Sequence, residues 1–322
     1  MKPSPKPPGN ENVHSMQSAE RLHTNPFNIV GLRGKLRHNE PMSKHTSWRV
    51  GGPAQWFYEP ADVVDLAQLL LQLPDNIPVF WLGLGSNLLV LDGGIRGVVI
   101  HTAGLLNEIT LLSDNTLYVE VGVSCAKVAR FAAQAGLTGT EFLAGIPGTF
   151  GGALAMNAGA WGWDTWSLVR GVETLDRRGQ HHRRQVTDYK IGYRDVRGPK
   201  DEWFVAATLQ LLPDPEKEGK AKIQALLKQR NEKQPTGLPS CGSVFRNPKG
   251  DYAARLIEQA GWKGRCVGGA CVSEKHANFI INNSGATAAD IENLIEQIKA
   301  DIEQRYGVSL TPEVHVVGEP RK

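Results

Sequence analysis

Cysteine is scarce in this chain: Cys125, Cys241, Cys266 and Cys271 are the only four. None lies in a C-x-x-C pair or has a histidine at zinc-ligand spacing. Neither a zinc site nor a dithiol redox motif is encoded, no metal is expected, and buried thiols in a reducing cytoplasm are the expectation. A strong charge of either sign is also missing. Lys and Arg number 36 against 33 Asp and Glu, a net charge of +3, which gives no basis for nucleic acid or an anionic membrane as partner. No run is dense enough in Leu, Ile and Val to cross a bilayer. The longest uncharged stretch, 142–163, is diluted by six glycines, a proline, an asparagine and a threonine. The opening MKPSPKPPGNENVHSMQSAE has Lys and Pro but no apolar segment, so it is not a secretory signal, and residues 1–24 read as a disordered tail. G-x-x-x-x-G-K-[ST] occurs nowhere, which removes the P-loop nucleotidases. Gly83-Leu84-Gly85-Ser86-Asn87-Leu88 begins as a Rossmann fingerprint, but Leu88 stands where the third glycine belongs.

What is present suits a globular enzyme of two or three domains, or one large one: 41% hydrophobic residues, 8 Trp and 35 Gly. Residues 61–73, between Pro60 and Pro74, read as a helix, and PVFWLGLGSNLLV (78–90) as a short strand, a glycine turn and further apolar residues. Strands are expected at 97–101, 117–122, near 169–176 and at 203–211. Ser124 caps a helix running to Gly136. The polar, proline-containing LLPDPEKEGK marks a domain boundary near Pro213. Helices follow at about 216–231, 251–260 and 288–306. The last has a Thr287/Asp290 capping box, a face of Ile291, Leu294, Ile295, Ile298 and Ile302, and a terminal Gly307. The HHRR run at 181–184 reads as a solvated turn. The fold class is α+β, without a strict βαβ alternation.

Two glycine loops stand out: Gly83–Leu88, and Gly145-Ile146-Pro147-Gly148-Thr149-Phe150-Gly151-Gly152. Glycine allows positive φ and close approach of the main chain, and successive amide N–H groups bind an anion without a lysine. Either loop alone reads better as a turn packed against a sheet. Both within one domain point to a dinucleotide with a diphosphate.

The motifs RVGGPA (49–54), LGLGSNLLV (82–90), EFLAGIPGTFGGALAMNAGA (141–160), YR (193–194), SCGSVFRNP (240–248), KHANFIIN (275–282) and PEV (312–314) together resemble the UDP-N-acetylenolpyruvoylglucosamine reductase family of flavoenzymes, over residues about 25 to 317. The resemblance implies non-covalent FAD in a domain of the vanillyl-alcohol-oxidase type, residues 25–212, made of two α+β subdomains (about 25–101 and 102–212). A substrate domain, 213–322, follows. It implies cofactor contacts from Arg49, Gly51, Gly83, Gly85, Ser86, Asn87, Leu88, Gly145, Ile146, Pro147, Gly148, Gly151, Gly152, Asn157 and Gly159. NADPH is the implied reductant, a UDP-sugar enolpyruvyl ether the substrate, and the enzyme is expected to be monomeric and cytoplasmic.

In that reaction a hydride reaches the terminal vinyl carbon, charge spreads into the neighbouring carboxylate, and the adjacent carbon is protonated. Arg194 suits the carboxylate, since guanidinium pairs with it through two parallel hydrogen bonds. Glu313 matches the family's residue that assists enolate formation, and Ser243 its proton donor. Taken without the resemblance, Arg194 reads as a surface cation, Ser243 as a turn cap and Glu313 as a lysine partner. Lys233, Arg246, Asn247 and His276 are substrate-binding candidates, with His276 reading equally as structural. Asp195 and Val196 follow Arg194 where a serine is usual after the intervening residue. The short chain between Arg194 and Ser243 resembles the compact subclass, which lacks a tyrosine-bearing loop over the substrate. Two other readings remain: an FAD-linked oxidase on the same fold, and a non-catalytic flavin-binding regulator. No His or Cys lies within the two loops to tether a flavin, and all three catalytic candidates are present.

Overall fold

A computed structural model describes residues 29–321. The expected tail, 1–24, lies outside them. The first strands are β1 (Lys35–Pro41) and β2 (Pro53–Glu59), followed by helix α1 (Val63–Gln72). The Asp62 carboxylate, rather than Pro60, starts α1 by accepting the Asp65 N–H. Next come β3 (Val79–Leu82), β4 (Leu88–Val90) and β5 (Ile95–His101). One sheet has the order β1-β2-β5-β3, in which β5 runs parallel to both β2 and β3.

A second region holds β6 (Ile109–Leu111), β7 (Thr116–Glu120), α2 (Cys125–Gln134) and α3 (Phe150–Met156), then β8 (Gly159–Ala160) and β9 (Trp163–Asp164). It continues with β10 (Val169–Asp176), β11 (His181–Gln185), β12 (Lys190–Gly192), β13 (Asp195–Arg197) and β14 (Glu202–Gln210). Its antiparallel sheet has the order β11-β10-β14-β7-β6. The HHRR run is therefore a strand, not a turn. Its charges are met across the sheet: His181 by Glu173, His182 by Asp176, and Arg184 by Glu202.

The remaining elements are α4 (Gly219–Lys233), α5 (Ala253–Gln259), β15 (Cys266–Val267), β16 (Ala270–Val272), β17 (Ile280–Asn282), α6 (Ala288–Tyr306) and β18 (His315–Val317). Ser124 caps α2. Thr287 and Asp290 form the capping box of α6, and Gly307 closes it in the left-handed conformation. Cys266 and Cys271 are direct partners across β15–β16, with Cα atoms 4.1 Å apart, and form a disulfide. The expectation of four thiols is corrected on that point: hairpin register places the two side by side. Cys125 and Cys241 are free and buried.

Three apolar cores result. One joins α1, α2 and α3 to the five-stranded sheet and includes Ile223 of α4. A smaller one centres on Phe57, Leu82, Val90 and Val99. The third unites α5, α6 and β16 with Trp48, Val50 and Leu89 from the N-terminal half. Two links bind the ends of the chain: β18 lies parallel to β4, and the buried Trp48 indole donates to the Ile280 carbonyl at 2.7 Å. Trp48→Ala is expected to cost about 3–5 kcal/mol, seen as a lower urea midpoint; an unchanged midpoint would contradict its role.

Burial, chiefly, holds the His101 imidazole below the ordinary histidine value. Its unfolded form binds the proton more readily, so this contribution is full above the unfolded value and is lost as pH falls below it. The urea midpoint should therefore drop between about pH 7.5 and about pH 5.5, spanning the unfolded histidine value of about 6.5. The drop should be smaller in His101→Gln.

Candidate active site

The two glycine loops face one another. A Cβ on Gly83 would overlap the Thr149 hydroxyl, and one on Gly148 would lie 3.1 Å from the Ser86 hydroxyl. Gly85 has φ +64, and a Cβ there would strike the His45 carbonyl. Thr149 caps α3 by accepting the Gly152 N–H. Two glycine-rich stretches of main chain brought this close without a Cβ between them suit a diphosphate, so the residues present fit FAD. Other glycines answer to packing: in the second loop a Cβ on Gly145 would meet the Trp161 indole and one on Gly151 Val121, and in β8 one on Gly159 would meet the Trp163 carbonyl. Gly51, at φ +121, sits against Val90, and Ile146 packs on the largest core. Pro147 and Arg49 line a cavity of about 430 Å³. Gly85→Ala is expected to lower the flavin content of the purified protein, measured by visible absorbance, since the substitution meets both a clash and a strained φ. Full flavin content would refute that reading.

Arg194 occupies the two-residue turn between β12 and β13 at φ +54. A bulky residue there is strained by about 1–3 kcal/mol, and such strain persists only where neighbours hold it. Three bonds do so. Its Nε donates to Glu313 Oε1 at 2.7 Å, and its terminal nitrogens donate to the Asn157 carbonyl at 3.2 Å and the Gly159 carbonyl at 3.0 Å. The side chains of the Arg194–Glu313 pair are only 18% and 15% exposed. Arg194 is thus no free surface cation, and the partner of Glu313 is an arginine, not a lysine. A guanidinium has five N–H donors, so two remain. Val196, in the position of departure from the family pattern, packs against the largest core, and Asp195 before it pairs with Arg197.

Residues 244–246 run alongside 311–313. Val244 accepts the Glu313 N–H at 2.7 Å, and Arg246 donates its N–H to the Thr311 carbonyl. Asn278 clamps Phe245 from the other side, through Nδ2 to its carbonyl and Oδ1 from its N–H. Ser243 follows Gly242, at φ +73, at the end of this segment. Among the described residues its hydroxyl has no hydrogen-bond partner. Three segments far apart in sequence therefore converge: Ser243 adjoins the residue bonded to Glu313, and Glu313 holds Arg194.

The first glycine loop is tied in as well. Asn87 Nδ2 donates to the Glu313 carbonyl at 3.0 Å, while Leu88 begins β4 and pairs with His315. Asn157, the left-handed C-cap of α3, accepts the Trp166 N–H through its side chain. Arg246 donates to the Arg194 carbonyl at 3.2 Å, and its buried Nε has no partner among the described residues. Asn247 Oδ1 accepts the Ala253 N–H at the start of α5. Lys233 is exposed at the end of α4. His276 Nδ1 accepts the Asn278 N–H, and burial lowers its pKa. Sequence reasoning missed Thr149, Asn278, Arg230 and His315, whose Nε2 lies 3.0 Å from Met156 Sδ. A threonine directly before an apolar helix is a cap signal that would have found Thr149.

Residues 54–184 match the family model described as FAD binding domain, and 234–317 that for the C-terminal domain of UDP-N-acetylenolpyruvoylglucosamine reductase. The reductase of Alkalilimnicola ehrlichii is 58% identical over 89% of this chain and 96% of its own length. That of Nitrosococcus oceani is 57% identical over 91% and 99%. The chain belongs to the UDP-N-acetylenolpyruvoylglucosamine reductase family. The crystal structure of the Thermus caldophilus reductase superposes with a TM-score of 0.77 at 31% identity, over 89% of this chain and 99% of that one. The protein is an α+β, FAD-binding oxidoreductase of peptidoglycan precursor synthesis. Among the described residues no helix is long and apolar enough to cross a membrane.

Proposed function

We propose that this reductase uses NADPH to convert the enolpyruvyl ether of UDP-N-acetylglucosamine to UDP-N-acetylmuramate, with Arg194, Glu313 and Ser243 as its catalytic residues. FAD held at the two glycine loops, once reduced by NADPH, would supply the hydride for the vinyl carbon. The observation that carries the reading is the Arg194–Glu313 pair, fixed next to the Ser243 segment. The two remaining N–H donors of Arg194 take the substrate carboxylate and stabilise the charge that develops on it. Glu313 then shares a proton with the enolate oxygens. The uncommitted Ser243 hydroxyl delivers a proton to the substrate carbon. Lys233, Arg246, Asn247 and His276 bind the sugar nucleotide in this scheme.

FAD binding belongs to residues 25–212, in subdomains of about 25–101 and 102–212, and substrate binding to 213–322. Helix α4 packs Ile223 into the core of the former and so bridges the two. We place the enzyme in the cytoplasm as a monomer. The test is anaerobic: reduce the yellow protein with NADPH, add the enolpyruvyl sugar nucleotide and assay for UDP-N-acetylmuramate. No product, or reoxidation only by simple hydroxy-acid-derived acceptors, sinks the reading.

A further inference from the structure

The cavity of about 430 Å³ is bordered by Pro147 of the second glycine loop, by Ser47, and by Ser240 and Gly242 just before Ser243. Two guanidinium side chains, Arg49 and Arg230, also line it, and no carboxylate does. Arg230 is half-buried on α4. Its one side-chain bond among the described residues runs from Nε to the neutral amide of Gln234, at 3.1 Å. Burial alone moves its pKa, downward, with no acidic group offsetting it. A desolvated cation without a counter-charge is costly, and a bound anion removes that cost.

The position of Arg230 is fixed. Its neighbour Gln229 accepts the Trp161 indole N–H at 3.0 Å, and that indole lies on Gly145 of the glycine loop. Trp161 takes a strained φ of +53 to make this contact. Arg49 is held likewise, its N–H donating to the Thr46 carbonyl at 3.0 Å and its φ at +59.

We propose that Arg49 and Arg230 form a phosphate-binding pair, with Arg230 a specificity-determining contact to a nucleotide phosphate. Two forked guanidiniums lining one cavity match phosphate oxygens bidentately. The phosphate comes from FAD, from the UDP-sugar or from the 2′-phosphate of the reductant; naming these sources rests on the proposed reaction. The test uses the full flavin-loaded chain and its Arg230→Gln and Arg230→Lys variants. Three affinities are measured at fixed salt: FAD, from flavin retention on dilution, and UDP and 2′,5′-ADP, by calorimetry, with uridine as the phosphate-free control. Arg230→Gln should weaken at least one of the three by about tenfold or more. Arg230→Lys should recover part of the loss, and uridine should be unaffected. Whichever affinity falls identifies the source. Unchanged affinity for all three, in a variant that melts like the wild type, overturns the proposal. Should Arg230→Gln melt early, Arg49→Gln in the same cavity lining carries the same expectation. None of these readouts needs turnover, so a wild type that makes no UDP-N-acetylmuramate would overturn the reaction while leaving the phosphate pair standing.

Discussion

Ser243→Ala should still be bleached by NADPH at the wild-type rate, yet its colour should return with the enolpyruvyl sugar nucleotide about 10²–10⁴ times more slowly. The expectation comes from where the hydroxyl stands. It ends a segment bonded to Glu313 through Val244 and clamped by Asn278, and no protein group competes for it among the described residues. A turn-capping serine would be spent on a backbone amide, and its loss would lower stability more than rate. Stopped-flow absorbance separates the two half-reactions, and a normal second phase would eliminate Ser243 as the acid. Because the hydroxyl holds no structural bond, the variant should melt close to the wild type, within about 0.5 kcal/mol.

Arg194→Lys should lower kcat/KM by about 10²–10³, nearly as much as a neutral substitution. Lysine keeps the charge but not the fork. One ammonium cannot meet Glu313, the Asn157 and Gly159 carbonyls and a substrate carboxylate with the geometry these four require. The loss should appear in kcat as well as KM, since the interaction strengthens as charge moves onto the carboxylate. Near-wild-type kcat in the lysine variant would show that only the charge matters. The wider consequence is structural: Glu313 would be left part-buried without its partner, so the variant should also unfold at lower urea.

Local signals were the legible part of this molecule. The capping box and terminal glycine of α6, and the Ser124 cap of α2, are written in neighbouring residues, and the structure has them as read. What escaped depends on pairing at a distance. The HHRR run looks like a solvated turn because its compensating acids, Glu173, Asp176 and Glu202, lie on other strands. Cys266 and Cys271 show no motif; only the register of a hairpin makes them partners. The strand character of Leu88–Val90 is completed by His315–Val317 at the far end of the chain. The site divides the same way. Arg194, Ser243 and Glu313 are visible within motifs, although composition gave each a blander reading. Arg230 is not, because one arginine on a polar helix looks like any solvated cation until a cavity is seen on its other side.

The last strand of the chain completes the sheet edge begun near residue 88 and carries Glu313 at its approach. A polypeptide still emerging from the ribosome therefore has its arginine and serine but not the carboxylate that orients the arginine. Catalytic competence waits on this strand and the residues just before it, and premature stop codons a few positions before β18 should yield chains that are silent rather than partly active.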